Sequence, residues 1–174
     1  MSEIRVLVNR RLLAYEGLFR VDELYATVRR FARERGYFTM ERVAEEHALP
    51  QGKEVLIEID LKKIMSDYAK SFLQVSIDIK NLTDQIVEID KRKHKYQQGR
   101  IEVYLSARLE TDYRGRWEGS GFAFLFRTIS DKFIRHGVIH ELEDRARTDL
   151  SALQGEISAY LNMHRFKADA RQKP

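Results

Sequence analysis

The chain has 174 residues, of which 33% are charged, and it contains no cysteine. The missing thiols exclude disulfide bonds, thiolate zinc sites and cysteine nucleophiles, and the length fits the roughly 100–200 residues of one domain. The first residues form no signal-peptide core, and apolar residues nowhere run long enough for a membrane span. We therefore expect a soluble cytoplasmic protein.

The net charge of +4 is concentrated in two short segments. Residues Lys91–Arg100 carry five basic side chains and no acid, whereas Arg165–Pro174 carry four basic side chains and one acid. The other 154 residues are left with a net charge of −4. The sequence thus predicts a slightly acidic body with two basic patches, and this localised charge is the first indication of function.

The N-terminal part predicts a strand followed by a helix. Residues Ile4–Tyr15 are rich in valine, leucine and isoleucine, which is typical of a strand or a pair of strands, and Gly17 permits a turn. Asp22 is placed to cap a helix over residues 22–35, whose apolar side chains recur at helical spacing. Gly36 supplies the left-handed residue that commonly follows a helix.

The middle of the chain alternates apolar and polar residues. A period of two is typical of antiparallel strands with one buried and one solvated face. The predicted strands are residues 37–43, 54–61, 71–80, 85–91 and 100–111. Short connections predict hairpins, with loops at 45–51, at 81–84 and at the basic tip, residues 91–99.

Helical periodicity replaces this alternation after Gly115. Apolar residues from Phe122 onwards predict one helix that ends at Gly137, and residues Ile139–Leu161 predict a second. A helix of about 25 residues is about 37 Å long, which is enough to cross a sheet.

The order of elements predicts an α+β fold of two layers. An antiparallel sheet of about five to six strands is packed on one face by helices, including a long C-terminal helix. We expect a single domain over residues 1–166 and a frayed, charged tail over 167–174. The order resembles the helix-grip fold, in which a curved antiparallel sheet wraps a long C-terminal helix, although that fold usually has two helices after its first strand. The resemblance implies an apolar pocket between sheet and helix.

The basic tip is the strongest candidate for a binding site. Lysine and arginine contact phosphates, and an aromatic ring stacks on a base. The residues predicted to bind nucleic acid are Lys91, Arg92, Lys93, Lys95, Tyr96 and Arg100. A projecting loop of this composition favours RNA or a ribonucleoprotein such as the ribosome as partner. The alternative is a solvated hairpin whose charge prevents aggregation of neighbouring edge strands.

Catalytic and metal chemistry find little support in the sequence. His136 and His140 stand four residues apart, but Gly137 predicts a helix break between them and no third ligand stands near, so no metal site is expected. Phosphate-binding glycine motifs and the nucleophile elbow of serine hydrolases are absent. We therefore expect no cofactor, and a binding protein is favoured over an enzyme.

The aromatic residues that follow the strands have two interpretations. Trp117 stands in a charged run that either closes the end of the sheet or forms a recognition loop. The phenylalanines of the helix predicted from Phe122 to Gly137 cannot all lie on the same side of that helix. Some apolar surface is therefore left over, which predicts an apolar pocket or a subunit interface. The residues assigned to it are Trp117, Phe122, Phe126 and Phe133. A homodimer is the simplest assembly that would cover such a surface.

Three functions remain open from the sequence. The leading prediction is a non-enzymatic protein that binds RNA or a ribonucleoprotein through the basic tip. The first alternative is a protein or enzyme that binds a small apolar ligand in a helix-grip-like pocket. The second is a structural subunit of a protein assembly.

Overall fold

Five antiparallel strands form one sheet in the computed structural model, which describes residues 3–89, 92–111 and 135–169. The strands are β1 (Glu3–Phe19), β2 (Phe38–Leu49), β3 (Gly52–Ile64), β4 (Ala69–Ile89) and β5 (Arg92–Thr111). Strands β2 to β5 form a meander, and β1 pairs with β5. The order across the sheet is therefore β1-β5-β4-β3-β2, with β1 and β2 at the edges.

Helix α1 (Val21–Glu34) follows β1, and helix α2 (Arg135–Asp169) follows β5 in the described chain. Both helices contribute to one hydrophobic core with the same face of the sheet, which we call the inner face. The start of α1 differs from the prediction: Arg20 takes the N-cap position, and Asp22 lies in the first turn, where its charge favours the helix dipole. The end is as predicted, since Gly36 has a φ of 72°.

The core lies between the inner face and the two helices. Alternate residues of the central strands and every third or fourth residue of α2 are buried there, among them Leu73, Val75, Ile77, Leu105, Leu150, Leu153 and Ile157. Truncating a buried leucine to alanine costs about 2–5 kcal/mol. This layer therefore dominates the stability of the fold.

The α+β class, the antiparallel sheet and the long C-terminal helix are confirmed. The loop predicted at 81–84 is wrong, because the strands predicted on either side of it are one strand, β4. The loop predicted at 45–51 is also wrong, because β2 continues to Leu49 and a short turn leads into β3. A cluster of polar residues in a sequence is typical of a loop. Here β2 stays paired with β3 as far as Leu49, and β4 resumes its pairing with β5 at Thr83 after a shift in register.

β4 is irregular at Asn81, where φ is 53° and the register with both neighbouring strands shifts. Glycines flank this bulge on both sides. A Cβ on Gly52 in β3 would lie 2.9 Å from the backbone carbon of Asn81, and a Cβ on Gly99 in β5 would lie 2.9 Å from the carbonyl oxygen of Lys80. The neighbouring strands thus lack side chains at the point where β4 crowds them.

Gly99→Ala should lower the free energy of unfolding by about 1–3 kcal/mol, because the added methyl group overpacks against backbone that cannot rotate away. Urea denaturation measures the effect. Gly155→Ala is the matched control: a Cβ there meets nothing within 4 Å, and alanine should stabilise the interior of α2 by about 0.5–1 kcal/mol. Unchanged stability of the Gly99 variant would contradict the close approach of β4.

α2 is longer than predicted. The described part of the helix runs from Arg135 to Asp169, so Gly137 lies inside the helix and does not end it. In the part of the chain that the structure describes, neither helix has the length and apolar character needed to cross a membrane.

Candidate functional site

β4 and β5 extend beyond the rest of the sheet as a two-stranded arm, residues 85–89 and 92–96. β1 last pairs with β5 at Gln97, and β3 last pairs with β4 at Leu82. Beyond these points the two strands pair only with each other, from Gln85–Tyr96 to Ile89–Arg92. The loop predicted at 91–99 is therefore wrong: residues 92–99 belong to β5, because their backbone continues the ladder with β4.

Pairing within the arm places an acid beside one of the predicted basic residues. Lys93 lies opposite Glu88 in the register of the two strands. The residues of the arm include three basic side chains and one acidic side chain, so its net charge is +2, compared with +5 and no acid in the segment Lys91–Arg100. The three bases belong to β5 and the acid belongs to β4, so the positive charge is concentrated on the β5 side.

A groove of about 830 Å³ lies between the arm and the start of α1. Lys93, Lys95 and Tyr96 line it from the arm, and Arg20 and Tyr25 line it from α1. The structure thus brings three of the six predicted nucleic-acid-binding residues to one concave surface.

The alternation of side chains along β5 explains why the two lysines face this groove. The side-chain Oε1 of Gln97 accepts a hydrogen bond of 3.0 Å from the backbone N–H of Val21, at the start of α1. Lys93 and Lys95 differ from Gln97 by even numbers of residues, so they lie on the same face of the strand. The same bond gives one of the open N–H groups of α1 an acceptor.

A hydrogen-bond network holds the α1 wall of the groove. The Arg20 guanidinium donates to Asp22 at 2.6 Å and to Glu23 at 2.9 Å. The Tyr160 hydroxyl accepts from the Arg20 N–H at 3.0 Å and donates to the Arg20 carbonyl at 2.9 Å. Burial raises the pKa of Tyr160 above its ordinary value, so this hydroxyl keeps its proton at neutral pH. The start of α1 is thereby tied to α2.

The cations near the groove differ in their partners. Neither Lys93 nor Lys95 forms an ion pair with another residue that the structure describes, and both are exposed. Arg100 instead donates to Glu102 at 3.1 and 2.8 Å, and hydrogen bonds from Tyr104 and Arg100 lower the pKa of the Glu102 carboxyl. Arg100 lies about 13 Å from Tyr96 along β5, so the structure separates it from the arm.

The remaining predicted site residues are not placed. Lys91, Trp117, Phe122, Phe126 and Phe133 lie outside the described residues, as does the side chain of Arg92. The pocket or interface predicted from the aromatic residues therefore stays a prediction.

A buried carboxylate at the other end of the sheet forms a second polar cluster. Asp149 on α2 is 6% exposed, and its Oδ1 accepts a hydrogen bond of 3.0 Å from Arg35. Its Oδ2 accepts one of 3.0 Å from the Tyr37 hydroxyl and lies 3.5 Å from the Lys63 ammonium. Burial raises the pKa of Tyr37 above its ordinary value. Because every oxygen of Asp149 has a partner, this cluster holds α1, β3 and α2 together.

Metal ligands are not grouped in the part of the chain that is described: no three histidine, aspartate or glutamate side chains there could hold one ion. His140 lies 3.8 Å from Glu143, one turn further along α2.

The sequence did not identify Arg20 or Tyr25 as groove residues. Neither belongs to a motif, and they reach the arm only because β1 leads into α1 beside β5. Compared with known proteins, the sequence matches no family model and none of the curated proteins significantly, so its function has to be inferred from its own residues.

Proposed function

We propose that this protein binds RNA, free or in a ribonucleoprotein, through the arm and the groove beneath it, without catalysing a reaction. The observation that supports this most directly is the position of Lys93 and Lys95. Both ammonium groups are exposed on a projecting ribbon and have no ion-pair partner among the described residues. Unpaired lysines are available to displace counterions from phosphates, which is the main source of affinity for nucleic acid.

The shape of the arm supports the same partner. A two-stranded ribbon is narrow enough to enter a groove or a cleft of a folded nucleic acid. The arm extends five residues beyond Gln97, the last residue of β5 that pairs with β1, which is about 17 Å at about 3.3 Å per residue. It can therefore contact a surface that the rest of the sheet does not touch.

The groove supplies contacts besides charge. Tyr25 lines it from α1, and aromatic rings stack on unpaired bases whatever their sequence. The Tyr25 hydroxyl donates to Glu41 at 2.6 Å, which orients the ring. We therefore expect a preference for single-stranded or looped RNA and little dependence on sequence.

Two acids near the lysines limit the affinity for RNA. Glu88 lies opposite Lys93, and Asp84 lines the groove, so a polyanion that approaches from the β4 side is repelled. We expect the RNA to approach from the β5 side and to bind with strong dependence on salt.

The double variant Lys93→Ser/Lys95→Ser should bind a short single-stranded RNA about tenfold more weakly, because two phosphate contacts are lost. Each lost contact should also reduce the slope of log affinity against log salt by about 0.7. Changing Lys91, Arg92, Lys93 and Lys95 together to serine should abolish co-sedimentation with RNA or ribosomes. Fluorescence anisotropy over a series of salt concentrations measures the first two effects.

The matched control is Arg33→Ser/Arg147→Ser, which removes the same charge from exposed positions on α1 and α2 that do not line the groove. This variant should bind RNA as tightly as the unchanged protein. Equal weakening by both double variants would mean that net charge alone matters, and unchanged binding by the arm variant would overturn the proposal.

A further inference from the structure

The outer face of the sheet, opposite the helices, carries a row of cations and aromatic rings. Five residues are direct cross-strand neighbours in this row: Val6, Arg108, Phe72, Lys62 and Phe38. The Arg108 guanidinium lies 5.1 Å from the centre of the Phe72 ring, and the Lys62 ammonium lies 5.7 Å from it. Both cations therefore lie within cation–π distance of one ring.

A buried carboxylate lies beside this row. Asp60 stands two residues from Lys62 in β3, and it is 7% exposed although it faces outward. Its Oδ2 lies 3.6 Å from a guanidinium nitrogen of Arg42 and 4.0 Å from one of Arg108. Its Oδ1 is buried and has no hydrogen-bond partner among the described residues.

A β-bulge directs Arg42 to this position. The register between β2 and β3 shifts between Glu41 and Val43, so Arg42 is the extra residue of β2. Bulges of this kind redirect side chains and are frequent beside binding sites. The irregularity thus brings a second guanidinium to Asp60.

The two arginines keep donors available for a ligand. Their contacts with Asp60 are longer than hydrogen bonds, and the side chains of Arg42 and Arg108 are 48% and 40% exposed. Both nitrogens lie within 4.0 Å of the same oxygen atom, so one tetrahedral anion can contact both. Asp60 compensates part of their mutual repulsion and positions them.

We propose that Arg42 and Arg108, assisted by Lys62, form a binding site for a single phosphate group. The planar guanidinium fork matches the geometry of phosphate oxygens, and paired forks give bidentate recognition. Glu58 and Glu110 lie two residues from Asp60 and Arg108 along their strands, so the positive region is confined. A confined site favours one phosphate, as inorganic phosphate or a phosphomonoester, over a long polyanion. The site is separate from the arm and does not depend on its function.

Titration with inorganic phosphate, followed by NMR signals of the arginine Nε–H groups, tests this site in the intact protein. We expect the signals of Arg42 and Arg108 to shift together and to saturate, while the signal of Arg33, exposed on α1, stays in place. Arg108→Gln and Arg42→Gln should each weaken phosphate binding about tenfold. Arg33→Gln is the matched control and should bind as the unchanged protein does.

A parallel titration identifies the source of the phosphate. Methyl phosphate and AMP should compete with inorganic phosphate at the same two signals, whereas a short RNA without terminal phosphates should leave them in place. If phosphate shifts neither signal in the unchanged protein, or if only the RNA shifts them, the proposed site for a single phosphate is overturned. Neither result affects the arm, whose binding is measured with its own variants.

Discussion

Asp149→Ala should lower the free energy of unfolding by about 3 kcal/mol. Removing one member of a buried ion pair costs about 3–5 kcal/mol, since the remaining groups lose their partner. We expect a loss at the lower end of this range because the side chains of Arg35 and Lys63 are 46% and 30% exposed. Water can therefore replace part of their interaction with Asp149. The Tyr37 hydroxyl, which is buried, then keeps only its contact of 3.2 Å with the Ser71 hydroxyl.

Urea denaturation of three variants separates the contributions of the Asp149 cluster. Asp149→Asn keeps an acceptor and loses the charge, so its stability should fall between those of Asp149→Ala and the unchanged protein. Asp144→Ala is the control, because Asp144 is exposed on the same helix and pairs with Arg147 at 3.6 Å; it should cost at most about 1 kcal/mol. Equal losses for the Asp149 and Asp144 alanine variants would contradict the structural role of the buried carboxylate.

Alkaline pH should destabilise the protein through Tyr37 and Tyr160. Burial raises the pKa of each hydroxyl in the folded state, whereas in the unfolded chain both return to about 10. Below that pH both states hold the protons, and the stabilising effect is complete. Above it the unfolded state binds fewer protons, so stability should fall by about 1.4 kcal/mol per pH unit for each tyrosine until the folded state also titrates.

Unfolding midpoints in urea between neutral pH and pH values above the ordinary tyrosine pKa measure this slope. Tyr37→Phe and Tyr160→Phe should each remove about 1.4 kcal/mol per pH unit from it, and the losses should add in the double variant, because the two residues belong to separate clusters. Tyr25 and Tyr104, whose pKa values are also raised by hydrogen bonds to Glu41 and Glu102, should retain part of the slope. The slope is the informative quantity, since the loss of a hydrogen bond lowers stability at every pH. An unchanged slope in the double variant would show that Tyr37 and Tyr160 do not cause the loss of stability at alkaline pH.

Local patterns were sufficient to predict the α+β class and most of the elements. The alternation in β4 and β5 follows from one face being packed and the other solvated, and the apolar spacing of α2 follows from its one buried side. Predictions failed where a polar cluster continued a strand. At Asn81 the chain keeps its pairing through a bulge that Gly52 and Gly99 accommodate, and no local pattern distinguishes such a bulge from a turn.

The candidate sites were less accessible to sequence reasoning. Lys93, Lys95 and Tyr96 were identified from their composition and do line one groove, but the acids beside them depend on strand register. Arg42, Asp60 and Arg108 stand far apart in sequence and meet only across neighbouring strands. Homodimerisation and the apolar pocket stay predictions, because the aromatic residues on which they rest lie outside the described residues.

The sequence by itself determined the fold class and the uneven distribution of charge, because hydrophobic periodicity and composition are local properties. Only the tertiary structure decided what the basic segment is: one strand of an arm with a net charge of +2, whose two unpaired lysines face the start of α1. It also decided that a buried aspartate lies between two arginines on the opposite face. Both results depend on register, which long-range pairing sets and local sequence does not encode.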